Sequence, residues 1–490
     1  MEQSRRKFLR YSACGLTAAA MVSSLDKLGL VNAMVQQPEV AADYKALVCI
    51  FLYGGTDANN MIVPLDSEYN SYMSVRGLSG NPGTGAGLGI PQSILLPINP
   101  ASGRQFGMHP NLSPEVANVG QAKGLLDVWN QGQLAVLCNY GSLVQPITRA
   151  QYQANIGHPY QLFSHSDQQI QQQTIVADGV GQTGWAGRLA DKTGALNGSV
   201  VLPMSISVAG TSLFATGTLA RQLSISAAPT TFSNLLVLNW NGTAATSPGT
   251  ANSTYRQLLG FDLDSLLVKG ASDTTNQALT ADAVLNQPDP VVGVFPNTSL
   301  GNQLKQVAKL IKIKDTLGMK RQIFFCSLGA FDTHTSQTGQ NPASPNNGGT
   351  NSGAQGSLLA QLSQAMRAFY DEMVAQGVSN NVTTFTLSDF SRTLQPSGTG
   401  TTTVGTDHAW GSHAFIMGGA VVGSTFYGAY PTLALGGPND TDNRGRWIPT
   451  TSLDQYAATL AAWYGLAPSD VPTVFPNLSK FSPTNLGFLG

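Results

Sequence analysis

Residues 323–328 read Ile323-Phe324-Phe325-Cys326-Ser327-Leu328, and Asp332-Thr333-His334 follow them closely. Two other mainly apolar runs, residues 47–52 and 382–387, end in the same way, shortly before Asp57 and Asp389. Apolar character that is continuous rather than alternating is typical of strands buried on both faces of a parallel sheet. Three such runs that each lead to a carboxylate or imidazole predict an open α/β sheet with a site at the carboxyl ends of its strands.

Helical segments separate these strands. Residues 300–317 and 358–375 are predicted helices, and the second has its apolar side chains at helical spacing. The strand–helix–strand order predicts an α/β fold with a mostly parallel sheet. Residues 197–289 are rich in Ser, Thr, Ala and Asn, and we interpret them as an inserted Ser/Thr-rich lobe. Disorder is the alternative for this segment, but the strand-like residues 201–208 favour a folded lobe.

The N-terminus has the pattern of a bacterial export signal. Ser4-Arg5-Arg6-Lys7-Phe8-Leu9 precedes a modest apolar stretch, and Val31-Asn32-Ala33 offers small residues for cleavage. We therefore expect residues 1–33 to be a twin-arginine signal peptide and residues 34–490 to be the mature domain. The twin-arginine translocase would export the folded chain to the periplasm, the cell surface or the medium. The apolar stretch is too short and too rich in Gly and Ser to form a stable membrane span.

Composition limits the classes of partner. The net charge is −1, with 26 basic and 27 acidic side chains, and charged residues make up 11% of the chain. A chain with no basic block is not expected to bind nucleic acid. Cys49, Cys138 and Cys326 remain after signal cleavage, and all three lie in apolar runs, so we expect buried free thiols rather than a disulfide framework.

Histidines are scarce, and their positions are informative. The chain has six, and five of them lie in short polar segments beside predicted strand ends or helix starts. Asp332 and His334, two residues apart at a strand end, can both bind a divalent ion such as Zn²⁺ or Mn²⁺. A solvated loop histidine is the alternative reading of His334.

A second group is Thr406-Asp407-His408-Ala409-Trp410-Gly411-Ser412-His413. One of its two histidines could bind a metal while Asp407 orients an imidazole; rings that only hydrogen-bond the backbone are the alternative. Asp389 could be a further ligand, with Arg392 pairing with it or with an anionic substrate. The alternative for Asp389 is a helix cap.

Two more polar groups complete the set. Gly54-Gly55 allow a sharp turn that presents Asp57, although a turn aspartate can simply bond its own backbone. His109 stands just before a predicted helix N-terminus, where an anion is favoured, although the segment could equally cap that helix. Ser164-His165-Ser166-Asp167 is similar but receives no specific role. The chain has no G-x-S-x-G sequence, which disfavours a serine hydrolase of the α/β-hydrolase type.

Several long motifs together resemble the bacterial DUF1501 family. They are Phe51-Leu52-Tyr53-Gly54-Gly55-Thr56-Asp57-Ala58-Asn59-Asn60-Met61, His109-Pro110-Asn111-Leu112, Gly184-Trp185-Ala186-Gly187-Arg188-Leu189, Phe331-Asp332-Thr333-His334, Thr386-Leu387-Ser388-Asp389-Phe390-Ser391-Arg392-Thr393, residues 405–413, Arg446-Trp447-Ile448-Pro449-Thr450-Thr451 and Val474-Phe475-Pro476-Asn477-Leu478. That family is similar to the alkaline phosphatase/sulfatase superfamily. The resemblance implies an alkaline phosphatase-like, doubly wound core with a two-metal centre at the strand carboxyl ends.

The resemblance also implies roles for individual residues. The metal ligands would be the strand-end groups Asp57, Asp332, His334 and Asp389, with a final imidazole from His408 or His413. Phe390 stands where the superfamily has a histidine ligand. Met108-His109-Pro110 stands where the superfamily has a nucleophilic Ser, Thr or modified Cys, so His109 is one candidate attacking group, and a metal-bound hydroxide that attacks directly is the alternative. A sulfatase C-x-P-x-R string is absent, which argues against a formylglycine enzyme.

We therefore expect an exported, metal-dependent hydrolase of phosphate or sulfate esters. It would hold one or two divalent ions (Zn, Mn or Ca) and act on a small anionic ester, with His109 attacking and Arg392 steadying the anion. The alternative is a non-catalytic periplasmic or surface binding protein on a phosphatase/sulfatase-like scaffold.

Overall fold

The computed structural model describes residues 43–77, 87–113, 124–232, 251–261, 263–285, 288–338, 353–397 and 404–490. The expected signal peptide, residues 1–33, lies outside the described residues, and so does its cleavage site.

The described residues form fourteen strands. They are β1 (Lys45–Leu52), β2 (Ile62–Pro64), β3 (Leu96–Ile98), β4 (Phe106–Met108), β5 (Leu134–Gly141), β6 (Ser205–Ser207), β7 (Gln222–Ser224), β8 (Arg321–Leu328), β9 (Val382–Ser388), β10 (Arg392–Ser397), β11 (Gly405–His408), β12 (Ser412–Met417), β13 (Phe426–Tyr427) and β14 (Thr451–Ser452).

Helices follow most of the long strands. They are α1 (Ala58–Met61), α2 (Glu68–Arg76), α3 (Leu125–Asn130), α4 (Arg149–Gln153), α5 (His165–Thr174), α6 (Trp185–Thr193), α7 (Ala251–Leu258), α8 (Leu266–Leu285), α9 (Ser299–Lys312), α10 (Ala354–Ala375), α11 (Leu453–Tyr464) and α12 (Val471–Val474). Helices α9 and α10 match the predicted helical segments.

The central sheet is large, mixed and mostly parallel. Its order is β13-β5-β12-β9-β1-β8-β6-β7, and β14 also pairs with β5. Strand β1 lies in parallel between β8 and β9, so the three apolar runs predicted from the sequence are adjacent. Strand β12 is antiparallel to both β9 and β5. The α/β class and the mostly parallel sheet are confirmed, with one antiparallel strand in its middle.

Burial explains why the β1 run is continuously apolar. Leu47, Cys49 and Phe51 on one face join a core cluster with side chains of α6 and α11. Val48 and Ile50, on the opposite face, have no exposed surface either. A strand covered on both faces gains from apolar residues at every position, because each buried side chain of this size contributes roughly 1.5–3 kcal/mol. The ends of such strands are then the natural place for polar groups.

The predicted lobe is not one continuous segment. The described chain divides into two compact units, and the smaller one includes residues 198–202 and the described residues between 230 and 290, with α7 and α8. Residues 203–229 belong instead to the larger unit, because β6 pairs in parallel with β8. Strand β6 lies within the strand-like residues 201–208, whereas β7 has only three residues, too few to show a strand period in the sequence.

No helix in the described ranges combines the length and the apolar character that a membrane crossing requires.

Candidate metal centre

Four chain segments bring histidine and aspartate side chains together beyond the carboxyl ends of β8 and β9. Asp332 and His334 follow β8, and Asp389 directly follows β9. His408 is the last residue of β11, which pairs with β10 just after Asp389. His165 is the first residue of α5 and comes from a different part of the chain. The resulting cluster is the convergence that the strand-end pattern predicts.

Two glycines allow these segments to approach closely. Gly54 has φ +112°, and a Cβ atom built on it would lie 2.4 Å from the backbone nitrogen of Asp332. A Cβ atom on Gly405 would lie 2.1 Å from the carbonyl oxygen of Thr333. Any larger residue at either position would push the Asp332 loop away from its neighbours.

The three imidazoles of the cluster all direct Nε2 to Asp332. Nε2 of His165 lies 3.4 Å from Oδ2 of Asp332. Nε2 of His334 and Nε2 of His408 lie 3.2 Å and 3.4 Å from Oδ1. The Nε2 atoms of His334 and His408 are themselves 3.0 Å apart. Such close approach of lone-pair atoms is favourable when a cation or a proton lies between them.

The other ring nitrogens are held by acceptors. The Nδ1 contacts are His165 with Oδ2 of Asp389 (2.7 Å), His408 with the carbonyl oxygen of Phe163 (2.7 Å) and His334 with Oδ1 of Asp407 (3.2 Å). A carbonyl or carboxylate oxygen accepts, so each Nδ1 carries a proton and the lone pair of a neutral ring is on Nε2. Metal-binding histidines have this arrangement, with the remote N–H bonded to a carboxylate or carbonyl.

The donor set fits one divalent ion. One ligand atom from each of His165, Asp332 and His408 can be chosen so that all lie within 4.8 Å of one another. Two ligand atoms about 2.1 Å from a tetrahedral ion are roughly 3.4 Å apart, which matches the imidazole–carboxylate distances. Nε2 of His165 and Oδ1 of Asp389 are buried and have no hydrogen-bond partner among the described residues. An unpaired buried polar atom is costly, and a cation bound by Nε2 of His165 would relieve that cost for this atom.

Charged neighbours shape the titration of the cluster. Burial acts to raise the pKa of Asp332, but the hydrogen bond and charge of Arg392 outweigh it and hold this pKa below its usual range. The hydrogen bond that His165 donates to Asp389 raises the pKa of His165, while burial lowers the pKa of His408. Asp332 therefore stays ionised and His408 favours its neutral form, which are the states that bind a metal, whereas a metal must displace the proton that the raised pKa of His165 favours.

Arg392 has a different place from the one expected. Its side chain has no exposed surface, and Nη1 donates to Oδ1 of Asp332 at 2.7 Å. Nε and Nη2 donate to Thr406, and Nη1 also donates to the carbonyl oxygen of Gly54. Arg392 therefore holds Asp332 in position, and the expectation that it steadies a substrate anion directly is not supported, because each of its three nitrogens already donates within the protein and the side chain has no exposed surface.

Asp57 does not join the cluster. Its Oδ1 accepts from Arg76 (2.9 Å) and from the backbone N–H of Asn59 (3.1 Å), and its Oδ2 accepts from Arg76 and Gln337. Asp57 and Arg76 both have no side-chain exposure. With both oxygens occupied in a buried ion pair, Asp57 is a structural residue here rather than a ligand.

Two predicted histidines also lie elsewhere. His413 is 5% exposed, its Nδ1 accepts from the backbone N–H of Asn139, and its ring lies against Tyr430. Burial lowers the pKa of His413 to about 4. His109 is 1% exposed, and its Nδ1 accepts from the N–H of Asn111 in the turn that follows. Neither His413 nor His109 belongs to the group of candidate ligands formed by His165, Asp332 and His408. The buried position of His109 also does not suit a group that attacks a substrate.

His165 is the member of the cluster to which the sequence gives no role. It begins a helix instead of ending a strand, so the strand-end pattern could not select it. Its one sequence signal is Ser164 in front of a polar helix, which also occurs at ordinary helix starts. Phe390, the residue after Asp389, lies 4.7 Å from the His165 ring and 4.6 Å from the His408 ring, centroid to centroid. Phe390 therefore forms an apolar wall beside two candidate ligands.

The fold and this cluster define an α/β protein with a histidine–aspartate site at the carboxyl edge of its sheet. The chain belongs to the DUF1501 family, described as "Protein of unknown function (DUF1501)", whose model matches residues 44–441. The resemblance seen in the motifs is thereby confirmed. No curated protein matches the sequence.

Solved structures show distant likeness. Ps i-CgsB in complex with k-i-k-neocarrahexaose is 8% identical, with a TM-score of 0.33 over 89% of this chain and 76% of that chain. The PsFucS1 sulfatase from Pseudoalteromonas sp. is 12% identical, with a TM-score of 0.31 over 96% and 74% of the two chains. TM-scores this low define neither the topology nor the chemistry of the site.

Proposed function

We propose that this protein is a metal-dependent hydrolase of phosphate or sulfate esters on an alkaline phosphatase-like, doubly wound scaffold. One divalent ion is held by His165, Asp332 and His408. The observation that carries the proposal is the shared arrangement of the imidazoles: Nδ1 held by an acceptor and Nε2 directed to one carboxylate. Zinc is the best match, because three nitrogen and oxygen ligands with room for a fourth are typical of its catalytic sites. Mn²⁺ and Ca²⁺ remain alternatives to be distinguished by analysis.

The protein side chains orient the site before a substrate arrives. Asp389 fixes the ring of His165, and Arg392 fixes the carboxylate of Asp332. A divalent ion, when bound, polarises an ester oxygen and lowers the pKa of water toward neutrality. Apolar Phe390 excludes solvent from one side of the histidines, which strengthens electrostatic interactions with an anionic group.

His334 is the most exposed of the three histidines. Its side chain is 44% exposed, and Asp407 accepts from its Nδ1 while pairing through Oδ2 with Arg444 at 2.6 Å. The atoms of His334 are not part of the three-residue ligand group. We retain it as a fourth ligand or as a group that contacts the substrate anion, and the loss or retention of metal in His334→Ala distinguishes the two.

The same proposal includes export. The twin-arginine sequence at residues 5–6 is its support, and the proposed locations are the periplasm, the cell surface or the medium. Fusion of residues 1–33 to a reporter that is active only when exported folded would test it. Replacement of both Arg5 and Arg6 by Lys should leave the reporter in the cytoplasm.

A binding protein on the same scaffold is the second candidate. In the described residues, the Asp332 side chain contacts Arg392 and the three histidines. None of these contacts is with a serine, threonine or cysteine that could act as a nucleophile, and this observation favours the binding protein. A site without a protein nucleophile can hold an ion and an anion without turnover.

Metal analysis separates these possibilities. The purified, folded protein should contain about one divalent ion (Zn²⁺, Mn²⁺ or Ca²⁺) per chain, and Asp332→Ala and His165→Ala should each remove it. Aryl phosphate and aryl sulfate esters should then be hydrolysed by wild type but not by either variant. Metal with no turnover across pH would favour the binding protein, and a wild-type chain that takes up no Zn²⁺, Mn²⁺ or Ca²⁺ would refute the metal centre.

A further inference from the structure

The backbone turn before α5 contacts two of the proposed ligands. Phe163 has φ +70°, a left-handed conformation that is unusual for a bulky residue. Ser164, the N-cap of α5, and His165 follow it directly. The same turn directs the carbonyl oxygen of Phe163 to Nδ1 of His408, at 2.7 Å. One strained residue thus links the positions of His165 and His408.

The contact fixes the tautomer of His408. A carbonyl oxygen can only accept, so Nδ1 of His408 must be the donor and, in the neutral ring, Nε2 has the lone pair. Nε2 is the atom that lies 3.4 Å from Oδ1 of Asp332. If the Phe163 carbonyl moved away, both tautomers of a neutral ring would become accessible and the ligand atom would be protonated part of the time.

Arg446 holds this contact from the other side. Its Nε donates to the carbonyl oxygen of His408 at 2.8 Å, and its guanidinium lies 4.9 Å from the centre of the Phe163 ring. Nη1 pairs with Asp442 at 2.6 Å, which fixes the guanidinium plane. A flat guanidinium can donate in its plane and stack through its face at the same time, and a lysine ammonium cannot.

Helix α5 supports the same turn. Nε2 of Gln171 donates to the carbonyl oxygen of Tyr160 at 2.6 Å, and the N–H of Ser164 donates to the carbonyl oxygen of Gln161 at 3.3 Å. The left-handed conformation of Phe163 is therefore held between α5 and Arg446. The sequence motif that begins at Arg446 has no other role in the proposed chemistry.

We propose that Phe163 and Arg446 are positioning residues of the metal centre, which keep His408 protonated on Nδ1 and its Nε2 directed to Asp332. The effect of these two residues on metal affinity rests on the proposed function. Their effect on the tautomer of His408 does not depend on a metal and can be measured in metal-free protein.

The test compares Arg446→Met with a matched control, Arg104→Met. Arg104 also stacks on an aromatic ring, Phe106, at 4.9 Å and also pairs with a carboxylate, that of Asp66, at 2.5 Å. Its described contacts include no member of the cluster. Both changes therefore remove one stacked, paired arginine, and only Arg446→Met removes it from the turn.

Two readouts are needed. The first is the ring ¹⁵N spectrum of metal-free, histidine-labelled protein, with His408→Gln used to assign the His408 signals. Wild type and Arg104→Met should show an Nδ1–H ring at residue 408, and Arg446→Met should show a mixture of tautomers. The second is the Kd for Zn²⁺, which should rise about 10–100-fold in Arg446→Met alone. Arg446→Lys should behave in the same way if Arg446→Met does not fold.

The outcomes separate the two proposals. An Nε2–H ring at residue 408 in wild type, unchanged signals and Kd in Arg446→Met, or an equal effect in Arg104→Met would each overturn the positioning role. If the tautomer responds as expected but wild type takes up no Zn²⁺, the positioning role stands and the proposed metal-dependent function fails.

Discussion

Nδ1 of His165 lies 2.7 Å from Oδ2 of Asp389, a carboxylate with no exposed surface. The same oxygen accepts from Gln169 at 2.9 Å and from the backbone N–H of Gly54 at 3.2 Å. Three donors thus hold one oxygen, while Oδ1 has no partner among the described residues. Asp389 therefore orients His165 firmly and fixes which nitrogen of the ring is free to bind.

Replacing Asp389 by asparagine should weaken metal binding without unfolding the protein. The amide keeps the shape of the side chain but loses the charge that favours an Nδ1–H ring in His165, so the Kd for Zn²⁺ should rise about 10–100-fold. Titration of metal-free protein with Zn²⁺ measures this. Asp167→Asn, on the same helix α5, is the control and should bind as wild type does. Equal affinity in Asp389→Asn and wild type would show that this carboxylate does not support the centre.

The buried pair of Asp57 and Arg76 should matter for stability and not for metal binding. Arg76→Met leaves the Asp57 carboxylate buried without its partner, so we expect a loss of about 3–5 kcal/mol in the free energy of unfolding. Asp57→Asn should also destabilise the chain, but every folded molecule should still hold its ion. Chemical denaturation and elemental analysis of the same samples check both statements. If fully folded Asp57→Asn lost the ion, Asp57 would have to be counted as a metal ligand.

The sequence predicts the strand-end carboxylates correctly as a pattern but not in their individual roles. Asp332 and Asp389 lie where the pattern places them, because adjacent parallel strands end at one edge of the sheet. Asp57 also follows such a strand, yet it pairs with Arg76 at the end of α2. The ion pair between Asp57 and Arg76 could not be predicted from the sequence. Arg76 is 19 residues from Asp57, and helix α2 has no strongly apolar face that would indicate that Arg76 is buried.

His165 and strand β12 show the other limits of a sequence reading. His165 comes to the site from a helix start, so no strand-end rule selects it. Strand β12 has the apolar run of a buried strand, but direction is not encoded in apolar character, and it pairs antiparallel with both neighbours. The place of His165 in the site and the direction of β12 both depend on contacts between distant segments of the chain. Such contacts produce no periodic pattern in the sequence.

Asp454, near the start of α11, should make stability depend on pH. Burial raises the pKa of Asp454 to about 7, and its Oδ1 has no hydrogen-bond partner among the described residues. A raised pKa means that the folded state favours the protonated acid. The contribution of Asp454 to the free energy of unfolding is therefore fully present below pH 3.8, the pKa of the carboxyl group in the unfolded chain. It is lost as the pH rises through about 7, its pKa in the folded chain.

The free energy of unfolding should therefore fall, from this group alone, by about 1.4 kcal/mol per pH unit between roughly pH 4 and pH 7. Asp454→Asn should remove that slope and be more stable than wild type at pH 8. Denaturant unfolding at several pH values measures the difference. Asp315→Asn is the control, because that side chain is 77% exposed and should leave the slope unchanged. Parallel curves for wild type and Asp454→Asn would contradict the burial argument.

His408 and His413, five residues apart, should respond oppositely to replacement. His408→Ala removes an Nε2 atom that lies 3.4 Å from Asp332, so the protein should lose its ion while remaining folded. His413→Gln should keep the ion, because its ring lies against Tyr430 and its Nδ1 accepts from Asn139. Its effect should appear in acid: burial lowers the pKa of His413 to about 4, so the wild-type chain loses stability as the pH falls from about 6.5 through 4. His413→Gln should be less sensitive to that change, and metal loss in His413→Gln rather than His408→Ala would reverse the assignment of the two rings.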